Sequence, residues 1–119
     1  MLQIGNNVLT HTEEQTHFAL WAFAKAPLII GCDLQTVSED SLAILKNKNL
    51  IAINQDILGQ QAVCAVNCGY EDIPEYYQVY TSQILEADGA HVGVLVVNWE
   101  DEKSVDVTLD LVELGIANS

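Results

Sequence analysis

Residues 16–34 are predicted to form an apolar helix followed directly by an apolar strand. No other feature of the sequence restricts the possible folds as much. The sequence has no polar residue from Phe18 to Ala24, so a helix here must be covered on several sides. Pro27 predicts the end of that helix, because proline lacks the N–H that the helical ladder needs. The following run, Leu28–Cys32, is apolar without alternation, as in a parallel strand buried on both faces. We therefore expect the sequence to begin in the middle of a larger α/β domain, with the neighbouring strands outside this chain.

Capping residues mark the start of two helices. Thr10 followed by Glu13 forms the capping-box pattern. Ser38 is the second candidate N-cap. Acidic residues follow it in the first turn of the predicted helix and lysines lie at the end of that helix, which is the order that the helix dipole favours. The expected elements are a helix running to about residue 26, a helix over residues 39–47 and an extended segment over residues 50–54.

From Gln60 onward the apolar residues recur with a period of two, which predicts strands. Turn-forming residues occupy positions 87–90 and 100–103, so we expect the last three strands to form an antiparallel meander. This region is predicted to be a small β-sandwich or half of one. The expected strands span residues 60–66, 76–85, 92–99 and 105–112.

The charge balance excludes some classes of partner. The chain has 119 residues, of which 17 are acidic and only 4 are basic, all of them lysine, giving a net charge of -13. Such a surface disfavours nucleic acid and anionic membranes as partners. No apolar run is long enough to cross a membrane, and no cofactor motif is present.

The cysteines allow more than one interpretation. Cys32 lies in the predicted apolar strand, where a buried free thiol is the expected state. Cys64 and Cys68 favour a short-loop disulfide in an oxidising compartment, with two structural thiols as the alternative. A zinc site is not expected, because the three histidines are not grouped to complete two cysteine ligands.

Several polar residues could carry chemistry, but each has a structural interpretation that we favour. Asp33 follows a predicted strand and is expected to cap the next loop. Glu13 and Glu14 are explained by helix capping, and His17 by a structural position on a buried helix. None of these residues forms an evident pair of facing carboxylates for general acid and base catalysis.

Four aromatic residues of the β region could form a platform for stacking sugars. Tyr76 and Tyr80 share one strand face with Gln78, whereas Tyr77 lies on the other face. Trp99 ends the next predicted strand. Because the tyrosines are divided between faces, packing in a core or interface is the favoured interpretation.

The first half of the chain resembles the α-galactosidases, or melibiases, of glycoside hydrolase family 27. The likeness covers about residues 1–59 in order, and the acidic β region is similar in character to that family's C-terminal domain. The stretches that carry it are Met1–Asn6, Leu9–Thr10, Glu13–Gln15, His17–Ala22, Lys25–Leu34, Ile51–Asp56 and Leu58–Gly59.

The resemblance implies a fold, an activity and a site. Residues 1–58 would be the C-terminal part of a (β/α)8 barrel, and residues 59–119 an antiparallel β-sandwich. The family hydrolyses terminal α-galactosides with retention, using two aspartates that would lie upstream of Met1, so this chain alone is expected to be inactive. Met1 matches a methionine that packs beside the bound galactose. The resemblance also implies secretion, no cofactor and no metal; a non-catalytic carbohydrate-binding or interaction module is the alternative.

Overall fold

The computed structural model describes residues 1–69 and 76–116. The chain divides into two compact units, Met1–Gly59 and Gln60–Ser119, called here the helical unit and the sheet unit. The elements are α1 (His11–Phe23), α2 (Glu39–Leu45), α3 (Lys48–Asn54), β1 (Val63–Val66), β2 (Tyr77–Glu86) and β3 (Gly89–Asn98). None of the helices in the described residues is long and apolar enough to cross a membrane.

Both predicted helix starts are confirmed. The Thr10 hydroxyl accepts a hydrogen bond from the Glu13 N–H at 3.2 Å, and Glu13 Oε1 accepts one from the Thr10 N–H at 3.4 Å. This is the reciprocal capping box that the sequence indicated. At the second start, the Ser38 hydroxyl accepts from the Ser41 N–H at 3.1 Å.

Helix α1 ends at Phe23, three residues before the expected end. The chain leaves the helix through Lys25, which has a φ of 57°. The Lys25 N–H donates to the Ala22 carbonyl at 3.2 Å, and the Ala26 N–H donates to the Trp21 carbonyl at 3.1 Å. These two bonds form a Schellman ending, in which glycine is the usual left-handed residue. Because lysine takes that place here, no glycine marks the early ending in the sequence.

Residues 50–54 are helical, so the expected extended segment is wrong. The Asn47 side chain accepts a hydrogen bond from the Leu50 N–H at 3.1 Å and starts a third helix there. Asparagine is a strong N-cap residue, but its position directly after a predicted helix favoured a helix end instead. Asn54, at the last position of α3, donates to the Ala26 carbonyl at 2.8 Å, which ties the end of α3 to the end of α1.

The run Leu28–Cys32 does not form the predicted buried strand. Its contact with another extended backbone is the bond from the Leu2 N–H to the Ile29 carbonyl, at 2.9 Å. Ile29 is 54% exposed and Ile30 is 44% exposed. A strand requires a ladder of backbone bonds, and the described residues supply no such ladder here. The core of the helical unit consists instead of Leu2, Ile4, Phe18 and Ile44.

The sheet unit contains a three-stranded antiparallel sheet in the order β1-β2-β3. Strands β2 and β3 pair from Tyr77 with Asn98 to Glu86 with Gly89, so a two-residue turn joins them. This hairpin confirms the predicted turn after residue 86. It also confirms the strands predicted over residues 76–85 and 92–99, with bounds that differ by one to three residues. The β-sandwich, which requires a second sheet, stays a prediction.

The predicted strand over residues 105–112 is wrong for the described chain. Its alternation survives as a burial pattern, because Val105, Val107 and Leu109 are half-buried and the residues between them are exposed. After that the chain turns, with Asp110 Oδ1 accepting from the Val112 N–H at 2.9 Å. Leu111 is consequently 48% exposed. The alternation is thus retained in the burial of residues 105–109, whereas Leu111 departs from it and the strand itself is absent.

Candidate functional site

Met1 lies at the surface beside a tightly packed backbone crossing. Its side chain is 71% exposed, whereas the next residue, Leu2, is 1% exposed. Gly31 faces this segment, and a Cβ built there would lie 2.4 Å from the Leu2 carbonyl oxygen. Glycine is therefore required where the two backbones pass. The segment places Met1 outward and anchors its neighbour in the core.

Glu14 is a buried carboxylate, and helix capping does not explain it. It is 4% exposed. Its Oε1 accepts from the Gly5 N–H at 2.8 Å, and its Oε2 accepts from the Ser41 hydroxyl at 2.7 Å. The sequence contained a signal for this role, because Glu14 lies four residues before Phe18 and hence on the same helix face. A carboxylate on a core-facing stripe indicates a buried hydrogen-bond partner.

His17 accepts a backbone hydrogen bond, in agreement with the structural role expected for it. The Gln3 N–H donates to His17 Nε2 at 3.2 Å. The imidazole ring lies against Trp21, with ring centroids 5.4 Å apart. Burial lowers the pKa of His17, while the nearby Glu14 carboxylate opposes that shift. A low pKa keeps the ring neutral, as an acceptor nitrogen must be.

Asp33 caps the loop that precedes α2. Its Oδ1 accepts a hydrogen bond from the Gln35 N–H at 2.9 Å, and its carbonyl accepts from the Val37 N–H at 3.0 Å. This is an Asx turn, a structural use of aspartate. The geometry agrees with the loop-capping interpretation.

Each unit carries an open surface cleft. The cleft of the helical unit has a volume of about 360 Å³ and is lined by His11, Gln15, Asp40, Ala43, Ile44, Asn47 and Leu50. The cleft of the sheet unit, about 480 Å³, contains the carboxylates of Asp110 and Glu113. The Asp110 carboxylate is engaged in the turn described above, also accepting from the Glu113 N–H at 3.2 Å.

A group of three exposed side chains, Glu86, Asp88 and His91, surrounds the β2–β3 turn. Their ligand atoms lie within 4.8 Å of one another, the one such group in the described residues. His91 Nε2 and Asp88 Oδ1 are 2.7 Å apart. This hydrogen bond raises the pKa of His91 and lowers that of Asp88. Two of the three side chains are thus partners of each other, on a surface open to water.

The aromatic residues pack around a buried amide. Gln78 is 5% exposed. Its Oε1 accepts from the Tyr80 hydroxyl at 2.7 Å and from Trp99 Nε1 at 2.9 Å. The rings of Tyr76 and Trp99 are 6.2 Å apart and tilted by 30°. Because the indole and phenol polar atoms point to Gln78, this arrangement agrees with packing rather than with a flat sugar platform.

Cys64 and Cys68 form a disulfide, with their Cα atoms 5.7 Å apart. The bond joins Cys64, the second residue of β1, to the loop after that strand, and the pairing of β1 with β2 is irregular between Cys64 and Val66. Cys32 is free, as expected, but it is half-buried and lies outside any strand. Its expected burial in a strand is therefore wrong, for the reason given for Leu28–Cys32.

Several known proteins that are similar to this chain are described as α-galactosidases. The family described as alpha galactosidase A matches residues 1–56. The probable alpha-galactosidase D of Aspergillus niger is 42% identical over 123 aligned residues, which cover 100% of this chain and 17% of that protein. Alpha-galactosidase 3 of Arabidopsis thaliana is 52% identical over 61 residues, covering 51% of this chain and 14% of that protein.

Solved structures agree with these sequence matches. An α-galactosidase from Saccharomyces cerevisiae superposes with a TM-score of 0.63 and 33% identity, covering 79% of this chain and 22% of that one. The same values hold for a structure of the yeast enzyme with raffinose. The chain spans only 17% of the length of the Aspergillus relative. From these matches, the chain is similar to the α-galactosidases (melibiases) and resembles their C-terminal region.

Proposed function

We propose that this chain is the C-terminal part of a retaining α-galactosidase. The helical unit would contribute to the wall of a (β/α)8 barrel, and the sheet unit to a β-sandwich domain. The observation that supports this most is 42% identity to an α-galactosidase across the whole chain, both units included. By the resemblance, the two catalytic aspartates of the family lie before the position that matches Met1. The residues of this chain would therefore supply structure and one sugar contact but no nucleophile.

The proposed sugar contact is Met1. Its exposed side chain follows from the anchoring of Leu2, which leaves the preceding residue outside the core. A thioether is a flexible apolar group that packs against the carbon face of a ligand. The substrate class would be terminal α-galactosides.

We propose an extracellular or otherwise oxidising location. The Cys64–Cys68 disulfide supports it, because disulfides persist in oxidising compartments and are rare where thiols are kept reduced.

A chimera tests the proposal directly. The segment of the Aspergillus niger relative that aligns with this chain is replaced by the chain, and hydrolysis of an aryl α-galactoside is measured. The matched controls are the relative with that segment deleted and this chain by itself, both expected to show no turnover. A soluble, folded chimera without activity would contradict the proposal, and so would turnover by the chain alone.

A carbohydrate-binding module is the second candidate. The observation in its favour is Trp99, which is 39% exposed and lies beside the Tyr76 ring. Isothermal titration of the chain with galactose and with melibiose separates the two candidates. Heat of binding that disappears in Trp99→Ala favours the module, whereas no measurable binding favours the enzyme part.

A further inference from the structure

Two side chains of α1 hold the backbone of the N-terminal segment. Gln3 and Gly5 are two residues apart, and the side chains between and before them, Ile4 and Leu2, are buried. The two backbone N–H groups donate to His17 Nε2 at 3.2 Å and to Glu14 Oε1 at 2.8 Å. The acceptors are three residues apart on α1 and therefore neighbours on its surface. Segment 1–5 is thus held by its apolar side chains and by polar bonds to one helix.

Glu14 is itself held in position. Its second oxygen accepts from the Ser41 hydroxyl at 2.7 Å, so both carboxylate oxygens are engaged. Gly5, which it binds, has a φ of 85°. A Cβ at that position would lie 2.9 Å from Val37 Cγ2 and 3.0 Å from Cys32 Sγ. The Gly5 N–H therefore points to Glu14 from a backbone conformation that only glycine adopts without strain.

His17 can accept the Gln3 N–H only when Nε2 carries no proton. The hydrogen bond thus assigns the neutral tautomer with the proton on Nδ1. The charged groups that act on His17 are the Glu14 carboxylate on its own helix and the Met1 amino group, while the Trp21 ring beside it is uncharged. Protonation of the ring would replace an acceptor by a second donor facing the Gln3 N–H.

We propose that Glu14 and His17 are positioning residues that clamp the backbone N–H groups of Gly5 and Gln3 and thereby set where Met1 stands. The clamp rests on hydrogen bonds and burial alone. The consequence for sugar binding rests in addition on the proposed function, in which Met1 contacts the galactoside.

Nuclear magnetic resonance of the full chain tests the clamp without any activity. At about pH 7.5 we expect a scalar coupling between the Gln3 amide nitrogen and His17 Nε2, which passes only through a direct hydrogen bond. The coupling should be lost as the pH falls through the His17 pKa, which lies below 6.5. No coupling at about pH 7.5 overturns the proposal, and so does a coupling that persists after His17 is protonated.

Substitutions separate positioning from packing. His17→Gln offers an amide oxygen near the place of Nε2 but does not titrate, so it should keep the slow exchange of the Gln3 amide and remove its pH dependence. His17→Ala should accelerate that exchange about tenfold, as expected when about 1.4 kcal/mol of hydrogen bonding is lost. His11→Ala, at an exposed position of the same helix, should leave it unchanged. Equal exchange in His17→Ala and the unmodified chain overturns the clamp.

The link to Met1 is tested in the active chimera. His17→Ala and Glu14→Gln should raise KM for the aryl galactoside about tenfold and change kcat less than twofold. If the coupling is present but KM does not change, the clamp stands and the Met1 contact in the proposed function is wrong. An inactive chimera contradicts the proposed function and leaves the magnetic resonance result decisive for the clamp.

Discussion

The carboxylate of Glu14 accepts a hydrogen bond from the hydroxyl of Ser41, 2.7 Å away, although 27 residues separate the two in sequence. Both residues are buried, Glu14 being 4% and Ser41 7% exposed. The bond joins the first turns of α1 and α2, each of which starts with its own capping residue. A buried carboxylate requires such partners, because leaving it unpaired costs more than a hydrogen bond contributes.

Ser41→Ala should lower the free energy of unfolding of the helical unit by about 1 to 3 kcal/mol, since Glu14 Oε2 loses its donor. Urea unfolding followed by the helical circular dichroism signal measures this, because all the helices of the described residues lie within Met1–Gly59. The matched control is Thr12→Ala, which removes an exposed hydroxyl from α1 and should change stability by less than about 0.5 kcal/mol. Equal effects of the two substitutions would show that the Glu14–Ser41 bond contributes nothing.

Ile4→Val should destabilise the helical unit by about 0.5 to 1.5 kcal/mol, because it removes a methylene from a fully buried side chain. Ile4 is 0% exposed and packs in the core with Phe18. The same substitution at Ile57, which is 82% exposed, is the control and should have little effect. The same urea experiment applies to both. A larger loss at residue 57 than at residue 4 would refute the core assignment.

Reduction of the Cys64–Cys68 disulfide should destabilise the sheet unit by about 2 kcal/mol, the value for a short loop in the chain-entropy account. The fluorescence of Trp99 during thermal unfolding, with and without a reducing agent, reports on this unit; Trp21→Phe removes the other tryptophan signal. Cys32→Ala should keep the response to reductant, because Cys32 is free. In the double variant Cys64→Ser, Cys68→Ser the reductant should have no effect, and a persisting response would contradict the assignment.

The pKa of His91 should lie above 6.5, because the Asp88 carboxylate accepts a hydrogen bond from the imidazolium and attracts its charge. A raised pKa means that the interaction is fully present below pH 6.5 and is lost as the pH rises through the folded-state pKa. Proton resonances of the ring against pH give the value. Asp88→Asn should return it toward 6.5, and Glu86→Gln should lower it less, since Glu86 is the weakest of the raising causes. If Glu86→Gln lowered the pKa of His91 more than Asp88→Asn did, Glu86 and not Asp88 would be the main partner of His91.

Some features of this fold were predictable from a few adjacent residues. Thr10 with Glu13, and Ser38 with its following acids, start helices through bonds that span three residues. The turn between β2 and β3 joins strands that are contiguous in sequence. In each case the groups that decide the structure are close in the chain, so the pattern contains the physical cause.

Other features depended on partners that no local pattern names. The sequence alone determined the starts of α1 and α2, the hairpin and the likeness to α-galactosidases. Only the tertiary structure decided that Leu28–Cys32 has no strand ladder, that residues 50–54 are helical, and that Glu14 binds Gly5 and Ser41. The reason is that backbone and buried polar groups are satisfied by whatever lies next to them in space, and a sequence pattern gives periodicity but not neighbours.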